Sequence, residues 1–400
     1  MSDSQQMYRA LFSALWEHIP RCIFGDVRRL MTLAWAVIGL CFTKTANFNH
    51  WGEVVISNAK YAASHQRRFQ RWLYNCYVTP ATFYPPLLRV ALADWKPGKR
   101  AYVALDTSVL PKGYVLIRTA LIYRGRALPV AWRVFKHNSA SVSFEDYKMV
   151  LERTRDILPK GLVVVLLADR GFLHRQLIQF TRRTGWHYRL RAKASTLVYL
   201  EKHRVIQMGQ LRPPQGAAHF YHDVRVLGEK VHLALATPIP EGDDEIDPWY
   251  VVSDEPTYVG TLDEFSLRFD IEENFLDDKS NGFQVEASKL DNAQAIERLF
   301  LVLAVATLHF TSVGVGVVKA KVRRWIDTHW DRGMSYLKIG WSWLRQQYRR
   351  EWRTFTPFWI DPAPDPEPAI ASHRQTANPK RKWAVSCFGL PVTTQTSYPM

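Results

Sequence analysis

A chain of 400 residues, 47% hydrophobic and only 22% charged, can bury a large core, which argues against a disordered or low-complexity protein and leaves room for roughly two or three domains. Lys and Arg number 53 against 37 Asp and Glu, a net charge of +16 that favours a polyanionic partner, nucleic acid being the simplest. The four cysteines, Cys22, Cys41, Cys76 and Cys387, lie far apart with no CxxC and no Cys/His pair at zinc spacing, so they read as reduced thiols of a cytosolic protein.

The chain opens on a polar stretch with no secretory signal. Residues 7–95 read as a basic helical domain, with nine Lys or Arg against four Asp or Glu in residues 1–75. Its clearest segment is Ser64–Tyr74, where Phe69, Trp72 and Leu73 form an apolar stripe flanked by Arg67, Arg68 and Arg71. Those arginines either lay a helix on DNA or line a solvated face. Pro80, Pro85 and Pro86 are expected to interrupt helical periodicity, and the turn-rich Trp95–Lys99 sets a boundary near residue 96.

The period then changes. Arg100–Leu105 is a short β-rich run ending on Asp106, and Tyr114–Tyr123 and Arg126–Phe135 read as a hairpin around Arg124–Gly125. Phe144–Leu158 is an amphipathic helix. Leu162–Leu167 is a wholly apolar strand that ends at Asp169, followed by a helix over His174–Thr184 and a strand over His187–Arg191. Residues 195–256 look like a β-rich insertion of short alternating strands.

Phe265–Lys279, FSLRFDIEENFLDDK, reads as one helix. At about 100° per residue Phe265, Arg268 and Lys279 each fall within about 40° of Glu272, which frames one carboxylate between two cations. Glu273 points about 100° away, and Asp277 and Asp278 are read as solvated. The apolar run Leu299–Val318 is read as a buried helix ending near Gly314 and not as a membrane span. Lys319–Ile360 mixes ten Lys or Arg with eight Trp or Tyr, which suits either a phosphate-tracking surface or a helix that buries its tryptophans. Residues 361–400 are Pro-rich and aperiodic, expected to form a mobile tail.

Two-metal phosphodiester chemistry needs carboxylates from separate elements that hold two ions about 3.5–4 Å apart. Asp106 and Asp169 at strand ends, with Glu272 on a later helix, form such a set for Mg²⁺, an ion that takes oxygen ligands and keeps several waters. The bland reading of either aspartate is a turn or N-cap residue. His137, His174 and His187 read better as core or surface histidines than as ligands.

The segments LDTS (Leu105–Ser108), LADRGF (Leu167–Phe172) and FSLRFDIEENFLDDK resemble the three acidic motifs of bacterial insertion-sequence transposases, in the class whose third motif is Tyr-x2-Arg-x3-Glu-x6-Lys. Arg268, Glu272 and Lys279 match in type and spacing, and Phe265 stands where that class has tyrosine. The resemblance covers residues 100–310 and, more loosely, 1–95. It implies an α/β fold with an RNase H-like catalytic core, a mixed sheet flanked by helices, carrying the β-rich insertion at about 195–256. The domains would be 1–95 for binding the DNA ends, 96–310 for catalysis, 311–360 as a basic and aromatic helical region, and 361–400 as the tail. It further implies two Mg²⁺ ions, replaceable by Mn²⁺, on Asp106, Asp169 and Glu272, with Arg268, Lys279 and Arg170 on DNA phosphates. The activity would be end cleavage by water followed by strand transfer of the 3′-hydroxyl into target DNA. Double-stranded DNA with terminal inverted repeats is the partner, bound by a homodimer in the cytoplasm at the nucleoid, with no membrane involved. Trp249 on the insertion is a candidate to stack on a flipped base, set against a plain structural role. Two other readings stay open: an RNase H-like nuclease without strand transfer, and an inactive DNA-binding derivative.

Overall fold

Burial decides the helices of the first 95 residues more than local propensity does. α1 (Asp3–His18), α2 (Arg21–Phe24), α3 (Val27–Thr43), α4 (Phe48–Trp51), α5 (Ala62–Leu73) and α6 (Pro80–Ala91) follow one another here. The expected interruption at the prolines does not occur. α6 starts on Pro80 and carries Pro85 and Pro86 inside it. An interior proline costs about 3 kcal/mol, but Phe83, Tyr84, Leu87, Leu88 and Ala91 are all buried, and fully burying one large apolar side chain returns roughly 1.5–3 kcal/mol. Tyr84 also donates its hydroxyl hydrogen to the carbonyl of Pro129 at 2.8 Å.

The computed structural model describes residues 2–57, 59–137, 139–200, 204–239, 247–279, 282–369 and 383–388. They fall into two units, residues 1–163 with 269–377 and residues 164–268 with 378–400.

In the first unit β1 (Arg100–Leu110), β2 (Tyr114–Tyr123) and β3 (Arg126–Lys136) form an antiparallel meander. Arg124 and Gly125 both take positive φ (50° and 78°), the conformation that a two-residue hairpin turn of matching twist requires. β1 runs past Leu105 to Leu110, so Asp106 lies inside the strand and not at its end. The extension follows from pairing: Thr107 to Leu110 continue the ladder opposite Tyr114 to Ile117. α7 (Phe144–Ile157), capped by a reciprocal Ser143–Asp146 box, places Thr154 Oγ1 2.5 Å from Thr119 Oγ1 of β2.

β4 (Val163–Ala168) leads into the second unit, with α8 (Arg175–Thr184), β5 (His187–Arg191), β6 (Leu197–Tyr199), β7 (Val205–Gln207), β8 (Ala217–Val226), β9 (Glu229–Ala236), β10 (Trp249–Ser253) and α9 (Val259–Ser266). β4 and β5 are parallel. β10 pairs antiparallel with β5 on one side and β9 on the other, and β8, β6 and β7 continue outward from β9. The strands of residues 195–256 are thus extensions of the sheet that holds β4 and β5.

Back in the first unit lie α10 (Asp270–Asp278), α11 (Ala293–Lys319) and α12 (Tyr336–Gln346). α11 is long and apolar enough to cross a membrane by composition, yet 94% of its apolar window is buried inside the protein. It does not end near Gly314. Gly314 lets α12 approach instead, because a Cβ there would strike the carbonyl of Tyr336, and a Cβ on Gly340 would strike that of Phe310.

The expected tail is structured where it is described. Ile360 is fully buried, Tyr123 donates to the carbonyl of Asp361, and Asp365 accepts from Tyr336 Oη and Arg332. β11 (Ala384–Phe388) adds in parallel to β8. The rest of 370–400 lies outside the described residues.

Candidate functional site

Asp106 sits on β1 directly opposite Arg118 of β2, so their side chains share one face of the meander. Arg118 is 1% exposed and donates through Nη1 to Asn274 Oδ1 and Asp278 Oδ2, both at 2.6 Å. Its guanidinium also lies 5.3 Å from the Phe275 ring. α10 therefore covers the sheet face into which Asp106 points.

Three further contacts fix the orientation of α10. Arg126, at the start of β3, pairs with Glu273 at 3.4 Å and Asp277 at 3.5 Å. Lys279 donates its ammonium hydrogen to the Val109 carbonyl of β1 at 3.2 Å. Going round the helix, Glu273 and Asp277 face β3, Asn274 and Asp278 face β2, and Lys279 faces β1. Glu272 is seven residues before Lys279, about 20° away in angle and about 10 Å back along the axis. Asp106 is three residues, about 10 Å, before Val109 along β1. Glu272 itself is exposed.

Asp169 belongs to the second unit, immediately after β4 and ahead of the 3-10 turn Arg170–Phe172. Its Oδ1 is buried and accepts no hydrogen bond among the described residues, and the nearest cation is Arg191 Nη1 at 3.6 Å. Arg191 is held in turn by Asp247 and by the carbonyl of Pro248 at 3.0 Å. A buried carboxylate oxygen lacking a donor suits a hard cation, and carboxylates are the ligands Mg²⁺ takes. On that chemistry Asp169 suits the ion expected of it.

The stretch 265–279 is not one helix. α9 ends at Ser266, Leu267–Phe269 is a 3-10 turn, and α10 begins at Asp270. Each half buries its own apolar residues, Leu262 and Phe265 in one unit and Ile271 and Phe275 in the other. The tighter turn resets the phase between them. Phe265 is fully buried beside Ala218, Phe220, Val251 and Leu262, with half-buried Trp249 edge-on at 5.7 Å. Arg268 is 3% exposed with its guanidinium 5.9 Å from the Phe265 ring. Only Glu272 and Lys279 of the four expected residues share α10 and its cap.

Asp277 and Asp278, expected in solvent, are both 3% exposed. Burial raises both carboxyls, Asp277 to about 6, with Arg126 and Arg118 respectively pulling the other way. A signal was present: Arg118 interrupts the apolar strand YVLIRTALIY, and a buried cation requires an anion.

Arg170 is exposed, as are Arg67 and Arg71 on α5, while half-buried Arg68 donates to Thr32 Oγ1 at 3.2 Å. The α5 stripe of Phe69, Trp72 and Leu73 is buried. His187, read as an ordinary core or surface histidine, instead joins Asp254 and Glu255 in a group compact enough to hold a cation. His187 Nδ1 lies 2.7 Å from Asp254 Oδ2, and buried Arg189 binds Glu255 at 2.6 Å and Glu264 at 2.6 Å. The guanidinium already supplies the charge those carboxylates require.

No protein-family model and no curated protein matches the chain. Among solved structures, a piggyBac transposase synaptic complex with hairpin DNA is similar over 97% of this chain and 88% of that one, at 9% sequence identity and a TM-score of 0.42. A likeness of that depth carries no argument about fold or function.

Proposed function

We propose that the protein is a DNA transposase that cuts at the ends of its own element and joins the freed 3′ ends to target DNA, with Asp106, Asp169 and Glu272 as its metal ligands. The observation that carries the proposal is the coincidence of two independent patterns. The Arg-x3-Glu-x6-Lys spacing singles out Glu272 by sequence. The docking of α10 across β1–β3 through Arg118, Arg126 and Lys279 puts the helix that carries Glu272 over the sheet face that carries Asp106.

Bound Mg²⁺, or Mn²⁺ in its place, supplies activation of the attacking water or 3′-hydroxyl and stabilisation of the leaving oxygen. The chain supplies position and charge. Arg118 fixes the helix that carries Glu272, and Arg191 holds its cation 3.6 Å from Asp169. Lys279 uses one of its three donors on Val109 and retains two for a DNA phosphate. Exposed Arg170, Arg67 and Arg71 are the other phosphate contacts, whereas Arg268 is 3% exposed. Pairing two DNA ends requires two copies of the chain.

A supercoiled plasmid carrying the inverted repeats that flank the gene, incubated with protein and Mg²⁺, is cleaved at the repeats and yields joined products with a second DNA. Cleavage without joining would leave a nuclease, and DNA binding with neither would leave an inactive derivative. EDTA abolishes both steps.

A further inference from the structure

The segment between α11 and α12 exposes two tryptophans, Trp325 and Trp330, the second of them on a tightly held loop. Asp327 is fully buried, and its carboxylate accepts from the backbone N–H groups of His329 (3.2 Å), Gly333 (2.8 Å) and Met334 (3.2 Å). It also lies 2.7 Å from His329 Nδ1 and 3.3 Å from Arg323 Nη1. Arg323, itself buried, donates to the carbonyls of His329 (3.0 Å) and Trp330 (2.8 Å) and to Glu367 (2.6 Å). These bonds pin the backbone on both sides of residue 330.

Trp330 is nonetheless 78% exposed, the most exposed large hydrophobic side chain among the described residues. The Arg324 guanidinium lies 4.5 Å from its ring centroid and backs one face of the indole, leaving the other open. Lys321 and Arg324 are exposed alongside, and Asp331 is the adjacent acid. A rigid indole backed by a cation, with positive charge around it, has the chemistry for a flat π-surface joined to phosphates. Duplex DNA hides its base faces, so the occupant that uses the open face is an unpaired base.

We propose that Trp330 is a stacking platform for an unpaired base of DNA, with Arg324 and Lys321 holding the flanking phosphates. The proposal rests on the reading of the chain as a DNA-processing enzyme and adds a contact for single-stranded DNA on the first unit. Fluorescence anisotropy of the full chain with a labelled single strand of about 12 nucleotides, and with the duplex of the same sequence, tests it. Trp330→Ala weakens single-strand binding about 5- to 100-fold, and duplex binding changes by less than about twofold. Trp330→Phe keeps most of the affinity, and Arg324→Ala weakens both strands and lowers the salt dependence. The ring lies in solvent, so Trp330→Ala keeps the wild-type melting temperature, and Trp330→Phe decides the matter if it does not. Single-strand affinity unchanged in Trp330→Ala, or lost equally with duplex affinity, overturns the proposal. A wild-type protein that cuts its element ends while showing no Trp330 effect overturns only this contact, whereas one that binds neither DNA overturns the transposase reading too.

Discussion

Arg118 is the residue on which the arrangement of the first unit turns. It is buried, lies opposite Asp106, and makes two short bonds to α10. Removing one partner of a buried ion pair leaves the other charge uncompensated at a cost of about 3–5 kcal/mol. Arg118→Met should therefore lower the unfolding free energy from a urea titration by that amount, and adding Asp278→Leu should recover much of the loss. Asp277 carries a pH dependence of definite sign. Burial lifts its carboxyl from 3.8 to about 6, with Arg126 opposing, so its contribution to stability is fully present below about pH 4 and is lost as pH rises through about 6. Asp277→Asn should melt a few degrees above wild type at pH 7.5 and alongside it at pH 3.5, read by circular dichroism. None of this was legible from residues 277 and 278 alone, because adjacent aspartates beside a lysine look like a solvated face. The partner that buries Asp278 lies 160 residues earlier in the chain, and only the odd cation in an apolar strand pointed to it.

At the scale of elements, the alternating and amphipathic runs from Tyr114 to Arg191 were legible because each has one strong period and a matching turn or cap. Two elements were not. α6 keeps its helix across Pro85 and Pro86 because tertiary burial outweighs a local penalty, something no window of sequence reports. The helix expected over 265–279 is two helices because its halves bury apolar residues in different units, a conflict of phase hidden by the match of the motif spacing to one continuous stripe. The α11–α12 approach is the most exacting element contact. Gly340→Ala sets a methyl against the carbonyl of Phe310, backbone against backbone, and should cost at least about 1–3 kcal/mol in a denaturant titration. An equivalent loss of stability is expected for Gly314→Ala, which meets the carbonyl of Tyr336.

For the whole molecule, the net charge of +16 made a nucleic-acid partner the first expectation, and nothing in the composition distinguished binding from chemistry. The proposed chemistry rests on three carboxylates drawn from three elements. Asp106 was legible as a residue but not as a mid-strand one, and Glu272 was chosen over Glu273 by angle alone. The direct test is the rate of Mg²⁺-dependent cleavage at the element ends by Asp106→Asn, Asp169→Asn and Glu272→Gln, with Glu273→Gln as the neighbouring control. Loss of an outer-shell partner typically costs 10- to 100-fold, so each of the three ligand substitutions should slow cleavage more than about 100-fold, while Glu273→Gln stays within about threefold of wild type. Wild-type cleavage by any of the three, or equal loss in Glu273→Gln and Glu272→Gln, would remove the metal-binding assignment.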